Sequence, residues 1–290
     1  MRKNILFCIT TLFLQPVFAQ ELYKAADLTA EHVFTGNCEG PAVDKSGNLY
    51  VVNFEQDGTI AIIKPGKAPE LFVKLPAGST GNGLRFDKEG DLFVADFTGH
   101  NVLQVDMKTK AVTVVAHSEE FYSPNDVAIS NSGILFLSDP SWKLNTGNIW
   151  RLTPDGRLSK LESGMGTTNG IEVSPDDKLL YVNESNQRNI WVYNLDESGN
   201  VSNKRLFASF PDFGLDGMRC DAKGNLYVTR YDKGVVAIFN PEGKLLREVQ
   251  MKGKKTSNVT FGGKDGRIVY VTLQDRGCVE YFRAEEAGAR

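Results

Sequence analysis

A short apolar triplet with a central aromatic residue recurs six times along this chain, each time after a turn built from Gly, Asp or Asn. The central residues are Tyr50, Phe93, Phe136, Tyr181, Tyr227 and Tyr270, so the repeat has a period of 43 to 46 residues. Further short apolar runs follow within each unit, as in Val102–Val105 and Val112–Val115. Four strand-length runs per unit and six units predict an all-β fold, a six-bladed β-propeller with four-stranded blades.

The length of 290 residues would by itself allow two domains, but the even repeat favours one closed ring over a pair of β-sandwiches. The sixth unit ends at Cys278–Phe282 without a fourth run. An unpartnered run around His32–Phe34 precedes the first unit. We expect this N-terminal run to complete the last blade, because closure removes the open sheet edges. Residues 20–290 are therefore predicted to form a single domain.

The first nineteen residues have the pattern of a secretory signal peptide. Arg2 and Lys3 precede an apolar run, Ile5–Leu14, and the small residues of the cleavage site come after Pro16. Cleavage is expected before Gln20, and the run is too short to span a bilayer. The pattern predicts a secreted or periplasmic protein without a membrane span, and the alternative is an uncleaved anchor.

Charge and cysteine content restrict the partners and the disulfide bonds that this chain can have. The 33 basic and 36 acidic residues give a formal net charge of −3, which argues against a nucleic-acid partner. Cys38, Cys220 and Cys278 remain after signal removal, so one bridge at most can form. We interpret them as buried small hydrophobic residues, with one disulfide as the alternative. The sequence does not predict an oligomeric state.

Polar residues stand at one equivalent point in all six units. Counting back 11 or 12 residues from each central aromatic reaches only Glu, Asp or Asn, namely Glu39, Asn82, Asn125, Asn169, Asp216 and Asn258. The first strand of each blade lines the central channel, so these side chains are expected to converge at its mouth. Buried carboxylates and amides need a cation or a dense hydrogen-bond network, and strand capping is the alternative. Oxygen donors favour Ca²⁺ first, then Mg²⁺ or Mn²⁺, and Zn²⁺ least.

Four motifs, in this order, resemble signatures of the gluconolactonase and senescence-marker-protein (regucalcin) family. They are Glu39-Gly40-Pro41, then Ser123-Pro124-Asn125-Asp126 with Ser138-Asp139-Pro140, then Thr168-Asn169-Gly170-Ile171, and Leu215-Asp216-Gly217-Met218. The resemblance covers essentially the whole mature chain. It implies one divalent cation in the channel, held by Glu39, Asn125, Asn169 and Asp216, and hydrolysis of a lactone. Ser123 departs from the Arg often found there in the sugar-lactone branch, and Thr168 departs from the usual Pro.

The implied reaction is metal-assisted hydrolysis, in which the ion polarises the lactone carbonyl. Asp216 is the first candidate for the catalytic base and Glu39 the second. Contacts with a small-molecule substrate are expected from loops at the channel mouth, together with Asn82 and Asn258. The loop residues expected to contact substrate are Phe54, Phe97, His100, Trp142, Arg188, Arg230 and Tyr231. Two alternatives remain open at this point: a non-catalytic propeller that binds a sugar acid or a partner through the ion, and a phosphotriesterase-like hydrolase.

Overall fold

The computed structural model describes residues 21–289, and the expected signal segment 1–19 lies outside these residues. Within them every regular element is a β-strand, and no helix there has the length and apolar character to cross a membrane. The 24 strands form six antiparallel four-stranded sheets, which are the blades of a propeller. The predicted all-β, six-bladed architecture is confirmed.

Each blade runs up and down, from an innermost strand at the channel to an outermost strand at the rim. Blade 1 contains β2 (Phe34–Val43), β3 (Leu49–Phe54), β4 (Thr59–Ile63) and β5 (Glu70–Lys74). Blade 2 contains β6 (Gly81–Phe86), β7 (Leu92–Asp96), β8 (Asn101–Val105) and β9 (Val112–His117). Blade 3 contains β10 (Val127–Ile129), β11 (Leu135–Ser141), β12 (Thr146–Leu152) and β13 (Leu158–Met165).

The second half of the ring repeats this plan. Blade 4 contains β14 (Thr168–Val173), β15 (Leu179–Glu184), β16 (Asn189–Leu195) and β17 (Val201–Ser209). Blade 5 contains β18 (Met218–Cys220), β19 (Leu226–Arg230), β20 (Val235–Phe239) and β21 (Leu245–Gln250). Blade 6 contains β22 (Thr256–Gly262), β23 (Ile268–Leu273), β24 (Cys278–Arg283) and, as its outermost strand, β1 (Ala26–Asp27).

The N-terminal strand closes the ring as expected, but it is a different segment from the one predicted. In β1, Ala26 pairs with Tyr281 and Asp27 with Glu280. The run around His32–Phe34 does not complete blade 6, because its apolar end starts the innermost strand of blade 1, where Phe34 pairs with Phe54. His32 itself is exposed in a left-handed turn (φ 60°) between the two strands.

The apolar core is divided into six clusters, and each cluster fills the space between two neighbouring blades. The central aromatics of the repeat pack in these clusters; Tyr50, for example, makes edge contacts with Phe72 and Phe86. Cys38, Cys220 and Cys278 are buried and unbridged, which agrees with their interpretation as small hydrophobic residues. Because side chains alternate between the two faces of a strand, an aromatic residue at the same strand position of every blade reaches a core cluster. The aromatics therefore recur at even intervals along the sequence.

Candidate metal centre and active site

A register irregularity in the innermost strands turns extra residues toward the channel mouth. The pairing shifts between Glu39 and Ala42 in β2, between Gly81 and Leu84 in β6, and between Thr168 and Ile171 in β14. An inserted residue of this kind re-aims the side chains around it, and such bulges are frequent next to active sites. Glu39, Asn82 and Asn169 lie in these irregular stretches, while Asn125 and Asp216 come two residues before β10 and β18.

The sixth blade breaks the counting rule on which the prediction of Asn258 was based. Arg85 pairs with Phe93 in blade 2, a separation of eight residues, whereas Thr260 pairs with Tyr270, a separation of ten. The longer hairpin moves the equivalent position back by one, so Ser257 rather than Asn258 corresponds to Glu39 and Asn125. The expectation that Asn258 occupies the same position as the other five residues is therefore wrong.

Asn258 instead corresponds to Asp126 of the opposite blade. The backbone N–H of Asn258 donates to Thr272 Oγ1 (2.9 Å), just as the N–H of Asp126 donates to Ser138 Oγ (3.0 Å). Both side chains then accept the N–H of the following residue, Val127 or Val259. Asp126 and Asn258 thus lie one residue deeper in the channel, below the ring of predicted ligands.

Glycine occupies this deeper position in the other four blades, as Gly40, Gly83, Gly170 and Gly217. A Cβ atom on Gly217 would lie 2.0 Å from Asn258 Oδ1, and one on Gly83 would lie 2.5 Å from Asp126 Oδ1. Gly83 and Gly217 therefore leave the space that Asp126 and Asn258 fill, while Gly40 and Gly170 allow the close approach of the backbone carbonyls of Asn82 and Asp216. Asp126 and Asn258 lie within hydrogen-bonding reach of each other and form the floor of the site.

Above this floor the predicted ligands come together. Glu39 has both Asp216 and Asn258 within hydrogen-bonding reach, and Asp216 also has Asn169. All four side chains are buried. The fourth predicted ligand is tied to its neighbouring blade through its backbone, because Asn125 O accepts from Asn82 Nδ2 (2.9 Å) and from Gly83 N (2.7 Å).

The carboxyl groups of the site are held in an environment that disfavours their charge. Burial raises the pKa of Glu39, with the nearby Asp126 adding to the effect. Burial likewise raises the pKa of Asp216 well above its ordinary value, followed by repulsion from Glu39 and Asp126. Burial raises the pKa of Asp126 to about 6. Desolvation and like charge both act against ionisation, so this group of acids favours a cation among them.

The donor set fits a hard divalent cation. Asn125 Oδ1, Asn169 Oδ1 and Asp126 Oδ2 are buried oxygens that accept no hydrogen bond from the described residues. Together with Glu39 and Asp216, the two amides supply oxygen ligands only, as Ca²⁺ prefers. Residues 21–289 contain no group of three or more His, Cys, Asp and Glu arranged to hold a metal ion, so an ion here would depend on the amide oxygens.

The residues expected to contact substrate differ in how far their side chains are exposed. Trp142 is exposed on the β11–β12 loop, and His100 is half-buried on the β7–β8 loop. Asn82 is half-buried and bridges to blade 3. Arg230 differs from expectation: its side chain is fully buried, stacked on Phe210 and hydrogen-bonded to Asp212. Arg230 therefore supports a loop instead of presenting its charge at the mouth.

Sequence reasoning missed two positions that shape the candidate site. Asp126 is part of the third-blade motif. An alignment on the four glycines would have shown that Asp126, like Asn258, is a polar residue at a position that is otherwise glycine. Asp139 fixes the segment before Asn125, because Oδ1 accepts the N–H groups of Tyr122 and Ser123 (both 2.7 Å). Its Oδ2 accepts from Asn148 Nδ2 (3.1 Å) and Trp150 Nε1 (2.9 Å). No spacing rule in the sequence pointed to that anchoring role.

A second polar group separates the site from the other end of the channel. Two residues below the floor, Arg85 pairs with Glu172, and Arg219 lies 4.0 Å from Glu172 and 3.8 Å from Asp126. These side chains face a cavity of about 900 Å³ that is lined by the turns between innermost and second strands. The candidate metal centre and this cavity thus lie at opposite ends of the channel.

Comparison with known proteins relates the whole propeller to one group. Residues 37–275 match the family model described as the SMP-30/gluconolactonase/LRE-like region. A gluconolactonase of Zymomonas mobilis is 32% identical over 270 residues, covering 81% of this chain and 75% of the relative. The diisopropyl-fluorophosphatase of Loligo vulgaris is 25% identical, covering 87% and 90%. The solved structure of a calcium-binding protein, regucalcin, from Agrobacterium tumefaciens superposes with a TM-score of 0.75 at 21% identity, covering 94% and 98%.

Proposed function

The chain belongs to the SMP-30/gluconolactonase/LRE-like family, and on that premise we propose that it is a divalent-metal-dependent hydrolase that opens a lactone. The observation that carries the proposal is the convergence of two buried carboxylates with two unpartnered amide oxygens at the channel mouth. The Zymomonas relative, named a gluconolactonase, supports the reaction class. The regucalcin neighbour, described as calcium-binding, supports Ca²⁺ as the ion.

Glu39, Asn125, Asn169 and Asp216 would hold the ion, which supplies Lewis-acid stabilisation of the negative charge that develops on the lactone carbonyl oxygen. The protein's own contribution is to fix these oxygens before substrate arrives. The N–H of Gly40 donates to Glu39 Oε2 (2.8 Å), and Asn183 Nδ2 donates to the backbone carbonyl of Asp216 (2.5 Å). These contacts fix the carboxylate of Glu39 and the backbone of Asp216.

Asp216 is the proposed base that takes a proton from the attacking water, and Glu39 is the second candidate. Asp216 is proposed for this role because it is a buried carboxylate placed at the proposed ion site. Asp216 then donates this proton to the ring oxygen as the bond between the carbonyl carbon and the ring oxygen breaks, so that the product is a hydroxy acid and the base is regenerated. Asn169, within hydrogen-bonding reach of Asp216, keeps this carboxylate in place.

The test is a pH-stat assay with a panel of sugar and aliphatic lactones, with and without EDTA. Hydrolysis that EDTA abolishes and Ca²⁺ restores is expected, and Asp216→Asn should lower kcat at least 100-fold. Asp232→Asn removes an exposed carboxylate from a neighbouring loop and serves as the matched control. An Asp216→Asn protein with full activity would overturn the site assignment.

The same preparation separates the alternatives. Ion binding without hydrolysis of any lactone would favour the non-catalytic propeller. Hydrolysis of organophosphates alone would favour the hypothesis of a phosphotriesterase-like hydrolase, which the Loligo relative suggests. We also propose export through residues 1–19. Mass spectrometry of the protein from the native host should then show a mature N-terminus at Gln20, and an intact Met1 would contradict export by cleavage.

A further inference from the structure

Four large apolar side chains are exposed on loops at the site end of the channel. They are Tyr122, Trp142, Leu144 and Phe213, with exposed fractions from 39% to 62%. The other exposed large apolar residues of the described chain lie elsewhere, on the outermost strands of the blades or near the N-terminus, such as Leu71, Leu206 and Leu245. Apolar residues grouped on one functional face indicate a binding surface for an apolar group.

These four residues, here called the apolar arc, belong to loops of blades 3 and 5 that flank the proposed ligands. Tyr122 precedes Asn125 by three residues, and Phe213 precedes Asp216 by three. Asp139 of β11 binds the backbone of Tyr122, and the same strand leads directly into the loop that carries Trp142 and Leu144. Tyr122 and Phe213 therefore lie on the segments that lead into two of the proposed ligands, and Trp142 and Leu144 lie on the loop that follows the strand anchoring Tyr122.

Hydrogen bonds connect the loops of the apolar arc to blade 4, which lies between blades 3 and 5. Asn145, next to Leu144, accepts hydrogen bonds from Thr167 and Asn186 of blade 4 (both 2.9 Å). Phe210 N donates to the carbonyl of Arg188 (3.0 Å), which ties the Phe213 segment to blade 4 as well. The loops that carry the arc in blades 3 and 5 are thus both hydrogen-bonded to blade 4, which lies between them.

Phe213 has a strained backbone conformation, which contacts of Arg230 with the neighbouring residues maintain. Its φ is 50°, a left-handed value that bulky side chains rarely adopt. The buried guanidinium of Arg230 donates to Asp212 O (2.5 Å) and Asp212 Oδ1 (2.9 Å) and stacks 3.5 Å from the ring centroid of Phe210. Strain of this kind persists only where surrounding contacts impose it, and it is concentrated at functional sites.

The other side of the mouth is polar. Lys254 and Lys255 are exposed in the segment before β22, and their backbone N–H groups donate to Asp275. In blade 1, Asn37 and Thr35 bind the carboxylate of Asp57. On the side of the arc, Ser123 beside Tyr122 is uncharged, whereas Lys143 and Asp212 are exposed charged residues adjacent to Trp142 and Phe213. The asymmetry therefore lies in the exposed large apolar side chains, which at this end of the described chain occur on loops of blades 3 and 5 only. A substrate with one apolar end matches this distribution better than a ring hydroxylated all round.

We propose that the apolar arc binds an alkyl or aryl substituent on the lactone ring, so that the enzyme prefers apolar-substituted lactones to sugar lactones. This inference rests on the proposed lactonase function and adds a substrate class to it. Arg230 acts as a positioning residue, because it holds the segment that presents Phe213 and does not face the mouth itself.

The experiment compares kcat/KM for unsubstituted γ-butyrolactone, for γ-lactones with alkyl chains of two to eight carbons, and for glucono-δ-lactone. Burial of one methylene on the arc should raise kcat/KM by about two- to fourfold. The double variant Trp142→Ala/Phe213→Ala should show a smaller increase of kcat/KM with chain length. Its loss of kcat/KM should be roughly tenfold larger for the longest chain than for γ-butyrolactone. Leu206→Ala, which removes an equally exposed apolar side chain from the rim of blade 4, should keep the wild-type slope.

Failure of the inference and failure of the proposed function give different results. Hydrolysis of glucono-δ-lactone with no gain from longer chains would overturn the apolar preference and leave the lactonase intact. No hydrolysis of any lactone would overturn both. A wild-type slope in the double variant, with the same Tm as wild type, would exclude the arc as the binding surface. Arg230→Lys should reduce the slope as Phe213→Ala does, and an unchanged slope would contradict its positioning role.

Discussion

At the scale of single residues, the glycines beside the ligands have the clearest consequence. Because a Cβ on Gly217 would lie 2.0 Å from Asn258 Oδ1, Gly217→Ala must displace a side chain within reach of Glu39. We expect a loss of about 1–3 kcal/mol in the free energy of unfolding. Ca²⁺ affinity should fall about 10- to 100-fold, because residues behind the ligands orient them. Urea unfolding and calcium titration measure the two effects.

Gly36→Ala is the matched control for this prediction. Gly36 lies in β2, the strand that carries Glu39, and a Cβ there meets no atom within 4 Å. Its unfolding free energy should change by less than about 0.5 kcal/mol. Equal behaviour of Gly217→Ala and Gly36→Ala would show that the floor of the site tolerates an added methyl group, contrary to the geometry.

Asp139→Asn tests the anchor of the third-blade ligand. The amide would keep one acceptor oxygen but would place an NH₂ group opposite the donors of Asn148 and Trp150. Leaving buried donors unpaired costs about 1–3 kcal/mol each, so we expect a loss of roughly 2 kcal/mol in unfolding free energy. Thermal unfolding followed by tryptophan fluorescence reports it. A Tm equal to that of the Asp232→Asn control would refute the anchoring role.

Single residues also show where sequence reasoning succeeds and where it stops. Counting 11 or 12 residues back from the aromatics located the equivalent channel positions in five blades, because strand pairing fixes the distance from aromatic to channel and the hairpin of blade 4 is only one residue longer than that of blade 2. It failed for Asn258, where the hairpin is longer. It also treated Arg230 as a surface charge, because stacking on Phe210 is a tertiary contact between residues 20 apart that no periodicity encodes.

At the scale of elements, the closing strand β1 is short and depends on charged contacts. Asp27 accepts hydrogen bonds from Lys252 and from Arg276 Nη1 (2.8 Å), and Arg276 also binds Glu31 and Glu280. The sequence predicted closure correctly, since an open blade edge is unfavourable, but a two-residue strand has too little pattern to locate. The prediction assigned the closing strand to the run around His32–Phe34 instead, because Val33 and Phe34 are more apolar.

The ion pairs of β1 predict a pH dependence. The hydrogen bond from Lys252, followed by that from Arg276, lowers the pKa of Asp27 below 3.8. A lowered pKa in the folded protein means that this stabilisation is present above pH 3.8 and is lost as the pH falls through the folded value. Asp27→Asn should therefore unfold more easily at pH 7, by about 0.5–1 kcal/mol for a partly exposed pair.

Thermal unfolding between pH 7 and pH 3 checks this expectation. The Tm of Asp27→Asn should lie below that of wild type at pH 7, and the two curves should converge as the solution is acidified past pH 3.8. Glu197→Gln changes an exposed acid on the β16–β17 turn and should track wild type throughout. A Tm difference for Asp27→Asn that stays constant down to pH 3 would rule out the ion pairs as its cause.

At the scale of the whole molecule, the proposed ligands come from blades 1, 3, 4 and 5, so a bound ion links segments from Glu39 to Asp216. The ring is otherwise held by apolar clusters between neighbouring blades and by the contact of β1 with β24. A cation held by the proposed ligands would add contacts across the ring, and it would also relieve the repulsion among Glu39, Asp126 and Asp216. Ion binding and global stability are therefore expected to be coupled.

The coupling can be measured as a shift in Tm. A ligand that binds only the folded protein stabilises it by about 2.7 kcal/mol when present at 100 times its Kd. For a domain of this size that corresponds to a rise of roughly 5–10 °C in Tm. Protein stripped with EDTA should show this rise with Ca²⁺, and Asp216→Asn or Glu39→Gln should lose most of it, while Asp232→Asn retains it. No rise with Ca²⁺, Mg²⁺ or Mn²⁺ in the wild-type protein would contradict a metal centre, because the buried carboxylates would then be stable without one.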